Sequence, residues 1–404
     1  MYELAIRLLT AGLWTAQLFS SKARLWAKGR KNWRNRLTST PLGRQPVLWM
    51  HVASLGEFEQ GRPILEGFRK QYPSSWVVLS FFSPSGYEVR KNYSEADVVC
   101  YLPADTRQNA RDFVDRVRPD VVIFVKYDLW ANYLFELRQR GILTLLIAAL
   151  FRPTQPFFRP WGKLWRQMLG CFSHIFTQDV ASAELVRCIG LKAVTAAGDT
   201  RIDRVLQLAQ DHILLERPPL RADVIAGSTW PADEDLLLPV IHAPELAHLH
   251  WILAPHEPSA RAIRRLTKLL QRSWALYSQW DGQQIVEVLI IDSVGLLGRL
   301  YRYARFAYVG GGFGRGIHNT LEPAAYGLPV LFGPKYKHFE EARQFVQRGG
   351  AFPVRSSAEL LQAIQRLEQP DEYERASIAV RQFLYENRGA SVQILQFLTK
   401  NLLF

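Results

Sequence analysis

The sequence predicts an α/β protein built from two doubly wound, Rossmann-like domains with a cleft between them. Three observations lead there. Short apolar runs, of which Val121-Val-Ile-Phe-Val125 is the plainest, alternate with longer amphipathic stretches along nearly the whole chain, the signature of βα units in a parallel sheet. The alternation pauses at Glu216-Arg-Pro-Pro-Leu220 and then restarts, which marks a linker. A chain of 404 residues also exceeds what one core usually serves, so two domains are the natural reading.

In the first domain, strands are expected over 47–52, 76–82, 97–102, 121–125, 143–150, 174–177 and 192–196. Helices are expected over 56–72, along which Phe58, Pro63, Ile64 and Phe68 are spaced, and over 106–117, 129–140 and 181–189. In the second, strands are expected over 223–227, 250–254, 287–291, 304–309 and 328–332. Helices are expected over 234–243, 260–270, 296–303, 339–348 and 357–367, a helical turn or two over 319–326, and a helical last segment over 376–403. The division that follows is 1–36 for a membrane-associating helix and basic flank, 37–215 and 216–385 for the two domains, and 386–404 for a C-terminal helix packing back on the first domain.

Composition narrows the partners. Apolar residues at 48% and charged residues at 22% describe a globular chain. Three scattered cysteines, Cys100, Cys171 and Cys188, form neither a disulfide framework nor a zinc motif. The net charge of +13 calls for an anionic partner. Part of it is local: Lys22, Arg24, Lys28, Arg30, Lys31, Arg34 and Arg36 surround Trp26 and Trp33 with no acid among them. The apolar stretch ahead, 8–19, is too short for an ordinary span, and no signal-peptide cleavage pattern follows it. The fitting reading is an interfacial helix with a polybasic flank on an anionic membrane surface. A short span with its basic side in the cytoplasm is the second reading, and a helix docked on the protein the third. Nucleic acid is disfavoured as a partner, because the basic cluster is terminal and no recognition module accompanies it.

The strongest local signal is Val309-Gly-Gly-Gly-Phe-Gly-Arg-Gly-Ile-His-Asn-Thr-Leu-Glu-Pro323, running on to Phe332-Gly-Pro334. A strand, a glycine loop and a helix start present backbone N–H groups and the positive end of a helix dipole to an anion. The loop is a candidate phosphate seat, with Asn319 and Glu322 placed for a sugar hydroxyl; a glycine-rich hairpin beside a core strand is the other reading. Neither the dinucleotide fingerprint nor a P-loop fits the spacing.

A second constellation is His51-Val-Ala-Ser-Leu-Gly-Glu-Phe58. Ser54 and Gly56 allow a tight turn, and Glu57 falls at the start of a helix. Its carboxylate can accept a proton from an attacking hydroxyl, or merely complement the helix dipole. His51 alone reads as a core histidine. Asp233-Glu-Asp235 has the form of a metal-binding D-x-D but reads as the acidic first turn of a helix, so no metal is expected.

These residues together resemble the Kdo transferases, enzymes that add 3-deoxy-D-manno-octulosonic acid to lipid A precursors. The resemblance spans nearly the whole chain. It rests on the 51–57 turn, Ser83-Pro-Ser-Gly-Tyr87, Asp128-Leu-Trp-Ala-Asn132, Gly198-Asp-Thr-Arg-Ile-Asp203, Ala226-Gly-Ser-Thr229 and, most specifically, the 310–334 block. The forms Phe81-Phe-Ser-Pro-Ser-Gly86 and Gly198-Asp-Thr-Arg201 look like the Bacteroidetes branch of the family. The resemblance implies a GT-B fold, a membrane-associated N-terminus at the cytoplasmic face of the bacterial inner membrane, the donor CMP-Kdo and a lipid A precursor (lipid IVA) as acceptor. It also implies inverting transfer in lipopolysaccharide synthesis with no cofactor beyond the donor. Glu57 matches the family's catalytic base. Donor contacts are implied for Ser228, Thr229, His256, Gly311, Gly312, Gly314, Gly316, His318, Asn319 and Glu322, and acceptor contacts for Ser54, Gly56, Ser85 and Asp128. Three positions depart from the pattern: Lys126 stands where an acid is usual, His256 where arginine is usual, and Leu296 where Gly-Glu would place a carboxylate. Rival readings are another GT-B enzyme, such as a lipid A disaccharide synthase or UDP-sugar epimerase, or a non-enzymatic membrane-associated nucleotide-binding protein.

Overall fold

The structure is a computed structural model that describes residues 2–37, 39–41, 43, 46–126, 128–211, 215–219 and 222–402. The chain forms two compact units, Met1–Asp203 with Arg388–Phe404, and Arg204–Asn387. The crossing lies inside the helix Thr200–Gln210. Residues 216–219 belong to the second unit, and Leu220 lies outside the described residues.

The first unit holds a parallel sheet of β1 (Val47–Val52), β2 (Trp76–Phe81), β3 (Val98–Tyr101), β4 (Val121–Val125), β5 (Leu143–Ala149), β6 (His174–Thr177) and β7 (Val194–Ala196), in the order β3-β2-β1-β4-β5-β6-β7. Every residue of β1 and β4 is buried, as in strands covered on both faces, and so their sequences are apolar apart from His51. Alternate β1 residues face opposite ways: Trp49 packs with Phe113, Phe124 and Tyr133, while Met50 packs with Phe58, Ile64 and Phe68.

The second unit repeats the plan with β8 (Val224–Thr229), β9 (Trp251–Pro255), β10 (Trp274–Leu276), β11 (Val288–Ile290), β12 (Phe306–Val309), β13 (Val330–Phe332) and β14 (Ala351–Pro353). Their order is β10-β11-β9-β8-β12-β13-β14. Strand order reverses between β1 and β4 in the first sheet and between β8 and β12 in the second, which also places β11 inside β10. At such a central reversal the loops leaving two neighbouring strands part and open a crevice.

Several expectations need correction. The strands β10 and β14, three-residue strands at the two edges of the second sheet, lie in stretches where no strand is expected. The helices Pro84–Arg90, Lys163–Leu169 and Thr200–Gln210 lie in stretches where no helix is expected. The C-terminal segment is two helices, Pro370–Glu386 and Ala390–Asn401, broken where Gly389 takes φ 103°; Leu403 lies outside the described residues. Asp203 caps the second of them, accepting 2.6 Å bonds from Gly389 N and Ser391 N. That helix packs on Leu55–Gln71.

The N-terminal region forms three helices, Tyr2–Ala16, Ser21–Arg30 and Trp33–Arg36. Among the described residues no helix is long and apolar enough to cross a membrane. The expected tryptophan-bearing flank is in part a folding element, since Trp26 and Trp33 are only 4% and 9% exposed. Arg30 is buried over the Trp26 ring, 4.0 Å from its centroid, and donates to Leu102 O (2.7 Å) and Phe82 O (2.9 Å). Burial brings its guanidinium down to about 9. Arg34 is held by Asp112 and Asn109. The reason is backbone satisfaction: the carbonyls just past the β2 and β3 ends have no strand partner there and need a donor. Arg30→Met is therefore predicted to cost about 3 kcal/mol, since two buried carbonyls lose their donor. A lowered urea midpoint for the variant checks this; an unchanged midpoint would refute it. Leu4, Leu8, Leu9, Trp14, Leu18 and Phe19 remain exposed.

Candidate active site at the two strand-order reversals

In the first unit the β1/β4 reversal brings together residues far apart in sequence. His51, fully buried at the end of β1, reaches Asp128 just past β4, with Nε2 2.7 Å from Oδ2. Its tautomer follows from its neighbours. Trp49 Nε1 can only donate, and it donates to Ser80 Oγ at 2.8 Å. The Ser80 hydroxyl is then free to donate to His51 Nδ1 at 2.9 Å. The Asp128 carboxylate can only accept, so its 2.7 Å contact calls for the ring proton on Nε2, while Trp130 Nε1, itself a donor, approaches the same nitrogen at 3.2 Å and competes for it. Asp128, implied by the resemblance as an acceptor contact, is thus anchored from beneath, and His51 is its anchor.

Glu57 lies in the first turn of Leu55–Gln71, where Ser54 is the N-cap. Ser54 Oγ donates to Glu57 Oε2 at 3.1 Å. Burial, and after it the nearby Asp128 charge, push the Glu57 carboxyl above the usual carboxylate range; the Ser54 hydrogen bond and the Lys126 ammonium pull the other way. A raised carboxyl pKa is what a general base working near neutrality requires. Lys126 sits at φ 64°, in the left-handed region that costs a non-glycine residue about 1–2 kcal/mol. Its N–H is tied to Ile147 O at 2.8 Å. Gly56 shares the turn with Glu57. Ser85 bonds to Ser83, and Ser83 N donates to Ala53 O at 2.8 Å, tying the loop after β2 to the loop after β1.

In the second unit the β8/β12 reversal joins Ser228-Thr229 to the glycine loop. Gly310 passes so close to Ser228 that an added Cβ would lie 2.3 Å from its carbonyl oxygen, and one on Gly312 would lie 2.6 Å from Gly333 Cα. These two glycines are sterically required. The loop is held by Asp233, only 1% exposed, which accepts from Tyr308 Oη, Gly311 N and Trp230 N, each at 2.9 Å. Gly314 N and Gly316 N bond back to Gly311 O. The N–H groups of Gly311, Gly314 and Gly316 therefore shape the loop itself. Asp235 pairs instead with Arg265, as does Glu234, and the two aspartates of the D-x-D face different partners. Among the described residues no group of three or more His, Cys, Asp or Glu side chains could hold a metal ion.

The other residues expected to contact the donor fall into two groups. His256 stacks between Trp230 and His318, with ring centroids 4.7 and 4.3 Å away. Trp230 Nε1 donates to His318 Nε2 at 2.9 Å. That nitrogen must accept, so the neutral ring carries its proton on Nδ1. Burial and the neighbouring His256 lower His318 to about 4, and it stays a neutral N–H donor at physiological pH. Asn319 Nδ2 donates to Glu322 Oε1 at 3.0 Å, and its Oδ1 accepts from Leu321 N at 3.1 Å, at the start of the helix Leu321–Ala325. Thr229, 2% exposed, turns its hydroxyl inward to Glu234. Sequence reasoning missed Asp233, Trp230 and His51 as site-building residues. An acid and a tryptophan directly after the Gly-Ser-Thr turn were the available signal.

Two parallel-sheet units, each with polar residues gathered at its strand-order reversal, are the two halves of a GT-B fold. The same fold is found in the UDP-GlcNAc 2-epimerase of Neisseria meningitidis, at TM-score 0.62 and 16% identity over 88% of this chain and all of that one. It is found again in MurG of Acinetobacter baumannii, at TM-score 0.56 and 12% identity, with 88% and 100% of the two chains covered. Residues 31–204 match the family described as 3-deoxy-D-manno-octulosonic-acid transferase (kdotransferase). Relatives named 3-deoxy-D-manno-octulosonic acid transferase extend the match past that unit. The Rickettsia bellii protein is 25% identical over 377 residues, 88% of each chain, and the Haemophilus influenzae protein 26% identical over 374 residues, 87% of this chain and 86% of its own. The chain is thus similar to the Kdo transferases over most of its length, and the family model matches its first unit.

Proposed function

We propose that the protein transfers Kdo from CMP-Kdo to a glucosamine hydroxyl of a lipid A precursor, working at an anionic membrane surface that its N-terminal helix contacts. The observation that carries this reading is Glu57: a half-buried carboxylate at a helix start, kept basic by burial and by the anchored Asp128. Glu57 takes the proton of the acceptor hydroxyl as its oxygen bonds to the anomeric carbon and CMP departs with the electron pair of the broken bond. One displacement inverts that carbon. On the donor side the His318 Nδ1–H offers a neutral hydrogen bond to an anionic oxygen, and Asn319 and Glu322 offer groups for hydroxyls. The protein is tested by supplying CMP-Kdo, generated in situ, with a tetraacylated lipid A precursor and weighing the lipid by mass spectrometry. A gain of one or more Kdo masses supports the reading; an unchanged lipid beside intact CMP-Kdo and folded protein rejects it.

The same site sets a pH dependence with a definite sign. Asp128 raises the Glu57 pKa and Lys126 lowers it. Asp128→Asn is predicted to move the acidic limb of the kcat/KM profile to lower pH, and Lys126→Met to higher pH. Shifts in the same direction, or none in either variant, would show that Glu57 is not the titrating base.

A further inference from the structure

Between Glu136 and Asp179 the chain carries no aspartate or glutamate, yet it places Arg152, Arg159 and Lys163 exposed on the first unit. Between Arg159 and Lys163 in the chain stands Trp161, which is 64% exposed and packs edge-on against Trp165 at 5.6 Å between centroids. An indole held this far into solvent keeps most of a large apolar ring in water, which contact with a partly apolar layer would relieve. The loop that presents it is built rather than loose. Arg166 donates to Phe157 O, Arg159 O and Pro160 O at 3.2, 2.6 and 3.1 Å. Gly162 lies so close to Pro156 that a Cβ would stand 1.9 Å from the Pro156 carbonyl oxygen. One guanidinium bonded to three carbonyls and one glycine with no room for a Cβ therefore fix the loop that carries Trp161.

We infer that the segment from Arg152 to Arg166 is a second membrane-docking element, distinct from the N-terminal helix, which seats Trp161 in the headgroup layer of an anionic bilayer. Tryptophan favours that layer because its ring is apolar and its N–H polar. The exposed cations of this acid-free stretch supply the attraction to anionic headgroups. A neutral surface would satisfy the indole and leave the cations unmatched; a soluble polyanion would satisfy the cations and leave the indole in water. The inference rests on the partner being a bilayer, as proposed above, and not on the transfer chemistry.

The test uses the full chain with vesicles of phosphatidylcholine alone or mixed with phosphatidylglycerol. Amide hydrogen exchange of the wild type is expected to slow over 157–166 with the mixed vesicles. Arg152→Gln, Arg159→Gln and Lys163→Gln together are expected to weaken partition onto mixed vesicles at low salt, by roughly fivefold per charge removed, with little change on neutral ones. Trp161→Ser is expected to weaken partition onto both. Protection confined to residues 2–19, with these variants partitioning as the wild type does, overturns the inference while the N-terminal contact stands. Protection by heparin but not by vesicles overturns it in favour of a soluble polyanion. No partition by the wild type at all overturns the membrane reading itself.

Discussion

Glu57→Gln is expected to reduce transfer by about 10²–10⁴-fold, the usual contribution of a positioned general base, while the protein stays folded and holds CMP-Kdo as the wild type does. Glutamine keeps the length of the side chain and an oxygen that can accept from Ser54 Oγ, so the cap at the start of Leu55–Gln71 survives. What it lacks is basicity. The measurement is single-turnover transfer beside a thermal melt. Full activity in a folded variant would reduce Glu57 to a helix cap. Loss of activity together with a large fall in Tm would say the same, because the defect would then lie in folding.

The second large effect is expected at Asp233, and here the two obvious variants should differ. The carboxylate is buried and accepts three hydrogen bonds, two from backbone N–H groups and one from Tyr308. Asp233→Ala strands all three donors, and at about 1–3 kcal/mol for each unsatisfied buried group the loss approaches the whole stability of a domain. Asp233→Asn retains an oxygen for the two N–H groups, while the Tyr308 hydroxyl can rotate to accept from the new amide. We expect the alanine variant to fail to accumulate as a folded protein. The asparagine variant should fold, with a lowered melting point and weaker CMP affinity. Two variants of equal stability would show that the glycine loop does not depend on this carboxylate.

His318 offers a quieter check on the same loop. Its ring is held neutral by burial and by His256, with a pKa near 4. The folded form thus binds a proton less readily than the unfolded chain, whose histidines titrate at about 6.5. This group's contribution to stability is therefore present above about pH 6.5 and falls away as pH drops toward 4.

How much of this was legible in the sequence differs from element to element. The run Val121-Val-Ile-Phe-Val125 declares a doubly covered strand wherever it sits, because no other setting buries five consecutive side chains of that kind. Glu57 could be placed in a first helical turn from Ser54 and Gly56 alone. The glycine loop announced itself, although its glycines turn out to serve close approach and the loop's own bonding more than a row of free N–H groups. The basic, tryptophan-bearing stretch after Ser20 misled in part. A polybasic run looks the same whether a guanidinium meets a lipid phosphate or, as Arg30 does, a pair of strand-end carbonyls.

The sequence by itself determined the alternation of strands and helices, the two-unit plan, the glycine loop and the position of Glu57 at the start of its helix. All of these follow from interactions within a few residues: hydrophobic period, turn chemistry and capping. Only the tertiary structure decided that β4 lies beside β1 and β12 beside β8. With that came the pairing of His51 with Asp128, of Asp233 with Gly311, and of Trp230 with His318. Those partners stand many residues apart, and nothing local selects them. They meet because a parallel sheet must order its strands around a buried core, and the point where that order reverses is where the loops after two neighbouring strands are left to face each other.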